Sequence, residues 1–205
     1  MIRELTLSYL KSLKDCIDEI DLDCLQRVIE SIYIAYQNKR QIFIMGNGGS
    51  ASTASHFVCD LAKGTIVDNQ TRMKVISLND NTAMLSALAN DCGYEEVFVE
   101  QLRNLLSPKD VVIVITGSGN SPNIIKAVNY AKQHNAITIG LIGFGGGDLA
   151  QIVDEQITIS SENYGHCEDI HLALAHTISQ AIRQLSLEKV SAKKEKRLTQ
   201  YGLVN

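Results

Sequence analysis

The sequence predicts an α/β protein: a parallel, five-stranded sheet covered by helices on both faces, in a three-layer arrangement. Two observations carry that prediction. Five short runs rich in β-branched residues recur along the 205-residue chain, at 41–45, 74–78, 111–116, 138–142 and 156–160. None alternates strictly between apolar and polar, the pattern of strands buried on both faces. Between them lie segments with apolar residues at helical spacing, and strands alternating with helices give a parallel sheet.

Taken in order, the first 40 residues form a helical hairpin. Leu5, Tyr9, Leu10, Leu13, Cys16 and Ile17 mark one helix, Leu22, Leu25, Val28, Ile29 and Ile32 the next, with a break near Asp21. The hairpin is surplus to a minimal sheet, so it either covers the sheet or, as we expect, packs against another subunit. The first strand runs directly into Gly46-Asn47-Gly48-Gly49-Ser50 and a helix with Ala54, Val58, Leu61 and Ala62 on one side. The second is Lys74-Val75-Ile76-Ser77-Leu78. The third leads into Thr116-Gly117-Ser118-Gly119-Asn120-Ser121. Here Ser121 is set to cap a helix whose first position is Pro122, with Ile124, Ile125, Val128 and Ala131 facing inward. The fourth strand ends in Gly143-Phe144-Gly145-Gly146-Gly147-Asp148, which reads as a flexible connection. After the fifth strand comes a last helix with the stripe Ile170, Leu174, Ile178, Ala181 and Leu185. A tail, 188–205, contains the basic cluster 193–197, read as a solvated helix end or frayed terminus.

Composition narrows the function classes. A net charge of −4 argues against a broad basic surface for nucleic acid. The apolar runs fall far short of the roughly 20 residues that cross a bilayer. The N-terminus, with an acid at Glu4, does not resemble a secretory signal. The five cysteines, at 16, 24, 59, 92 and 167, are odd in number and form no C-x-x-C pair. They suggest neither a disulfide framework nor a thiolate zinc site, and free thiols fit a reducing, cytoplasmic compartment. One domain spanning 1–205 is expected.

The two glycine-rich turns carry the chemistry. Each stands where a strand enters a helix, so the backbone can approach a ligand closely and the helix start offers unpaired N–H groups to an anion. Two such turns flanked by hydroxyls suggest a phosphorylated small molecule. Gly46 to Ala51 also fits the loose dinucleotide pattern G-x-G-x-x-A, but the acid expected about 20 residues on is absent at that spacing. A nucleotide-binding oxidoreductase is therefore disfavoured, and a P-loop sequence does not occur. His56 and Asp60 are four residues apart, on one helical face, a spacing shared by metal ligands, by a base with its partner and by ordinary surface pairs. The last helix offers Glu168, Asp169, His171 and His176, with Glu168 and His176 two turns apart on a flank of the core stripe. His134 and His166, in loop-like contexts, are assigned nothing.

In order, GNGGS-x5-H-x3-D, Ala89-Asn90-Asp91, TGSGNS and E-D-I-H-x4-H resemble the sugar isomerase (SIS) family, most closely its phosphoheptose isomerase branch, over nearly the whole chain. The resemblance implies a flavodoxin-like sheet, a homotetramer with sites at subunit interfaces, and isomerisation of sedoheptulose 7-phosphate to D-glycero-D-manno-heptose 7-phosphate. It places Thr116, Gly117, Ser118 and Ser121 on the phosphate, Asn47, Gly48, Gly49 and Ser50 along the sugar, and Asn90 and Asp91 on its hydroxyls. The catalytic pair falls on Asp60 and His176, and Glu168 falls on a position that touches both substrate and metal. Three positions depart from the family pattern: Asp60 stands for Glu, Glu168 for Gln, and Gly64 for an Arg. With His56, Asp60, Glu168 and His176 all present, a tetrahedral Zn²⁺ site acting as a Lewis acid is expected. The same family contains a non-catalytic adaptor of replication initiation, and a sugar-phosphate sensor is a further alternative. An acid at position 60 and an imidazole at 176 favour the enzyme.

Overall fold

All five expected strands form one parallel sheet: β1 (Gln41–Gly46), β2 (Lys74–Ser77), β3 (Val111–Thr116), β4 (Ile137–Ile142) and β5 (Glu155–Thr158), in the order β2-β1-β3-β4-β5. The computed structural model describes residues 1–68 and 70–200, the last eight as helix backbone alone. That strand order is flavodoxin-like, and the direction of progression reverses between β1 and β3. These two strands are hydrogen-bonded neighbours, with Gly46 opposite Ile115 at their C-terminal ends. Both glycine-rich turns therefore leave the sheet side by side at the switch point, where α/β proteins bind ligands.

Every residue of β3 is buried, because the strand is central and sandwiched on both faces. One face packs against α2 (Leu22–Gln37), α3 (Gly49–Cys59) and α7 (Tyr164–Gln200), through Val28, Ile32, Phe57, Ile170, Leu174 and Ile178. The other packs against α5 (Val99–Leu105) and α6 (Pro122–Gln133), through Phe98, Leu102, Ile124 and Val128. Helix α4 (Thr82–Asp91) fully buries no residue and packs Leu85, Leu88 and Ala89 only partly against this face, and neither α4 nor α5 is marked in the sequence by an apolar stripe long enough to place it.

The hairpin forms as expected, with α1 (Ile2–Asp18) followed by α2. The Asp21 carboxylate accepts N–H bonds from Asp23 and Cys24, both at 2.9 Å, and so caps α2. Helix α1 buries no residue: Ile2, Leu5 and Leu10 are 77, 65 and 54% exposed. It is tied to α7 by Tyr9, whose ring lies 4.5 Å from that of His166 and whose hydroxyl donates to Asp169 at 2.8 Å.

Four expectations need correction. Ser121 does occupy the N-cap of α6 with Pro122 behind it, but its side chain makes no capping bond; the residue lines the pocket between the turns. The stripe of α7 runs through His171, Ala175, Ile182 and Ser186, leaving Ala181 and Leu185 half-buried, because a helix of 3.6 residues per turn drifts off a fixed i+4 row. The segment 143–151 is not a loose connection but two 3₁₀ turns packed on the second glycine turn, where Leu149 N–H donates to Gly119 O at 3.0 Å. His166 lies inside α7 and is buried, not in a loop. The side chains of the basic cluster 193–197 lie outside the described residues.

Candidate active site

The β1 turn needs a glycine at position 48, where φ is +56° at the N-cap of α3. The β3 turn needs one at 119, where φ is +69° and a Cβ would stand 2.1 Å from Gly146 O. Between these turns lies a pocket of about 260 Å³, lined by Asn47, Gly48, Gly49, Ser50, Thr116, Gly117, Ser118, Ser121, Tyr164 and Glu168. Every residue assigned to the phosphate and to the sugar along the first turn is there. Among the described residues no lysine or arginine lines it, so an anion would be met by backbone N–H groups at two helix starts and by hydroxyls, with the Glu168 carboxylate also in the lining. Thr116 Oγ1 and Ser118 Oγ already accept N–H bonds within their own turn, from Gly119 and Asn120, both at 3.3 Å, which holds the turn in shape. A larger groove, about 600 Å³, follows the open edge of β2 past Val58, Ile76 and Leu105, and none of the clustered titratable groups described below lines it.

Farther along α3, the helix widens into a π-turn from Asp60 to Gly64. His56 and His176, 120 positions apart in sequence, meet with their Nε2 atoms 3.0 Å apart. Asp60 Oδ2 lies 3.4 Å from His56 Nε2 and 3.5 Å from His176 Nε2. That oxygen is shielded from solvent and meets no hydrogen-bond partner. Two imidazole nitrogens face to face and an orphaned carboxylate oxygen form a donor set that a cation satisfies. An ion bound tetrahedrally at about 2.0–2.1 Å keeps its ligands about 3.3 Å apart. The observed triangle matches that spacing and leaves a fourth position open.

Glu168 does not join the three, which corrects the expected four-ligand set within one chain. It lies two turns before His176 on α7, about 12 Å along the axis, and its carboxylate sits over Gly49, where a Cβ would be 2.2 Å from Oε1. Asn90 and Asp91 are exposed at the end of α4, bonded to each other at 2.8 Å, and do not line the pocket of this chain.

Three contributors escape a reading of the sequence. Tyr164 forms a wall over Gly117, its ring edge-on to Phe144 at 4.5 Å. Tyr94 donates its hydroxyl to Asn47 Oδ1 at 3.0 Å. Asn123, almost wholly buried, forms a reciprocal amide pair with Asn47 at 2.9 Å in both directions. Only Asn123 left a signal, a polar residue in the first turn of a helix at the inward-facing position.

A doubly wound sheet with an anion-suited pocket at its switch point and an acid–base cluster beyond it defines an α/β protein built to hold and transform a small phosphorylated molecule. The chain belongs to the SIS domain family, which matches residues 8–143, in the phosphoheptose isomerase branch. It is 34% identical to the phosphoheptose isomerase of Syntrophotalea carbinolica over 172 residues, covering 82% of this chain and 87% of that one. To the Helicobacter pylori phosphoheptose isomerase it is 33% identical over 184 residues, covering 90% and 95%. The solved phosphoheptose isomerase GmhA from Neisseria gonorrhoeae superposes with a TM-score of 0.83 at 26% identity, over 90% of this chain and all of that one.

Proposed function

We propose that this chain interconverts sedoheptulose 7-phosphate and D-glycero-D-manno-heptose 7-phosphate by proton transfer through an enediol. The observation that carries the reading is the convergence of Asp60 and His176, 3.5 Å apart, on the same helix pair that frames the phosphate-suited pocket. His56 follows Ser50 by about 9 Å along α3, a separation on the scale of a sugar chain between its phosphate and its carbonyl.

The α3 and α6 helix starts, with the hydroxyls of Thr116, Ser118 and Ser121, hold the phosphate. Asn47, Gly48 and Gly49 border the sugar. Asp60 and His176 divide the proton transfers: one takes the proton from the carbon beside the carbonyl and returns it to the neighbouring carbon. The other carries the proton between the two oxygens. Asp60 is one methylene shorter than a glutamate, and the π-turn that begins at this residue sets its carboxylate against both imidazoles. Residues His56, Asp60 and His176 would hold a divalent cation, which we take to be zinc, one per subunit; when bound it supplies Lewis acidity at the carbonyl and enediolate oxygens.

We place this activity in a homotetramer with interfacial sites. The exposed apolar face of α1 and the position of Asn90 and Asp91 outside the single-chain pocket support that assembly. Five unpaired cysteines fit a cytoplasmic enzyme, and no described helix is long and apolar enough to cross a membrane.

The test is to incubate the protein with sedoheptulose 7-phosphate and follow loss of the ketose. Asp60→Asn and His176→Ala should each lower kcat at least 100-fold. Turnover surviving both substitutions would remove their roles, and binding without turnover would leave a sugar-phosphate sensor. Elemental analysis of protein never exposed to chelator should find about one zinc per chain, lost in His56→Ala.

A further inference from the structure

Asn47, in the first glycine-rich turn, and Asn123, in the first turn of α6 just after the second, join across the switch point. Asn123 Oδ1 accepts the backbone N–H of Ile124 at 3.0 Å as well as Asn47 Nδ2 at 2.9 Å. Turning that amide over would set its NH₂ against the Ile124 N–H, two donors face to face, so the backbone dictates its sense. Asn123 Nδ2 must then donate to Asn47 Oδ1, at 2.9 Å. Asn47 Oδ1 also receives the Tyr94 hydroxyl at 3.0 Å, so both of its lone pairs are engaged. Tyr94 is held over α6 by its own turn, in which Glu95 and Glu96 pair with Lys126 at 2.5 and 2.7 Å. One hydrogen of Asn47 Nδ2 is spent on Asn123. A single N–H remains, on a residue that lines the pocket.

We propose that Asn123 is a positioning residue that, with Tyr94, locks Asn47 as a pure hydrogen-bond donor, so that the pocket selects a sugar oxygen acting as acceptor at that point. Asn123 does not reach the pocket itself and acts only through Asn47. An unlocked Asn47 presents its oxygen and its NH₂ with equal ease and loses that selectivity. The identity of the ligand rests on the isomerase reading; the lock does not.

The experiment has two arms. In the first, steady-state kinetics with sedoheptulose 7-phosphate compare wild type, Asn47→Ala, Asn123→Ala and the double variant. Asn123→Ala should raise KM about tenfold with kcat changed less than about threefold, the signature of lost binding shared by ground and transition states. In the Asn47→Ala background the same substitution should change KM less than about twofold. Multiplicative effects would show that Asn123 acts independently and would overturn the proposal. The second arm needs no substrate. In ¹⁵N-labelled protein, the Asn47 side-chain amide proton bonded to Asn123 should exchange slowly with solvent, and the protection should vanish in Asn123→Leu, which keeps a similar side-chain volume but can neither accept from Asn47 Nδ2 nor donate to Asn47 Oδ1. It should weaken in Tyr94→Phe, an exposed change that spares the core. Unchanged Asn47 signals in both variants would overturn the lock, whereas absence of turnover in wild type would overturn only the isomerase reading. If Asn123→Ala does not fold, Asn123→Leu takes its place in the kinetic cycle with the same expected results.

Discussion

His171 is fully buried in α7 against the sheet, and neither ring nitrogen meets a hydrogen-bond partner. Burial pushes its pKa down to about 4, and the backbone of Ile142, outside hydrogen-bond geometry, counters this only weakly. The unfolded chain binds a proton near pH 6.5 that the folded chain refuses, so stability is full above that pH and falls as pH drops from about 6.5 toward 4, by on the order of 3 kcal/mol. His171→Leu should flatten this part of the stability profile, read as Tm between pH 4 and 7. Glycines test the turns at the same scale. Gly119→Ala adds a Cβ onto the Gly146 carbonyl at a positive φ and should cost about 3–5 kcal/mol in chemical unfolding. Gly48→Ala meets no neighbour and should cost only the backbone strain, about 1–3 kcal/mol. His56, Asp60 and His176 became visible through the family resemblance, since their spacing alone fits ordinary helix residues equally well. The sequence hid Tyr164 and Tyr94, whose roles arise from contacts across 47 positions or more in the chain and leave no local pattern.

Among the elements, strands and their turns were legible because continuous β-branched runs ending in glycine have few other physical meanings. Helices α4 and α5 were not, because α4 packs only the short, partly buried set Leu85, Leu88 and Ala89 against the core and α5 is only 7 residues long. The π-turn at Asp60 was equally silent: it changes the hydrogen-bond step of a helix without changing its composition. Between α1 and α2 the break was read from Asp21, and the carboxylate does cap α2 there. Asp21→Ala should destabilise the protein by about 1 kcal/mol, measured by denaturant titration, while Asp21→Ser should recover most of it. The segment 143–151 shows the opposite failure. A run of glycines suggests freedom, yet here it permits close packing on the second turn.

At the scale of the whole molecule, strand order was the decisive fact that composition did not hold. The residues of both turns were known from the chain, but only the adjacency of β1 and β3 makes them two walls of one pocket. Glu168 lines the pocket but stays outside the His56 cluster of the single chain for the same reason: its spacing from His176 is fixed by the helix, and only the packing of α7 on α3 decides which of the two reaches that cluster. Helix α1 carries the prediction at this level. Leu5→Glu together with Leu10→Glu alters side chains that are more than half exposed in the single chain, so circular dichroism should be unchanged, while sedimentation should show the proposed homotetramer dissociating.

The two helix starts that border the pocket belong to opposite hydrophobic layers, α3 to one and α6 to the other. A phosphate held by both, as proposed, would act as a rivet through the seam of the sheet. Its binding energy would add to the cohesion that the shared strands and the Asn47–Asn123 pair already give the two halves, by an amount that grows with the logarithm of ligand concentration over Kd. Hydrogen exchange should therefore slow in both layers at once when inorganic phosphate is added, including at amides far from the pocket.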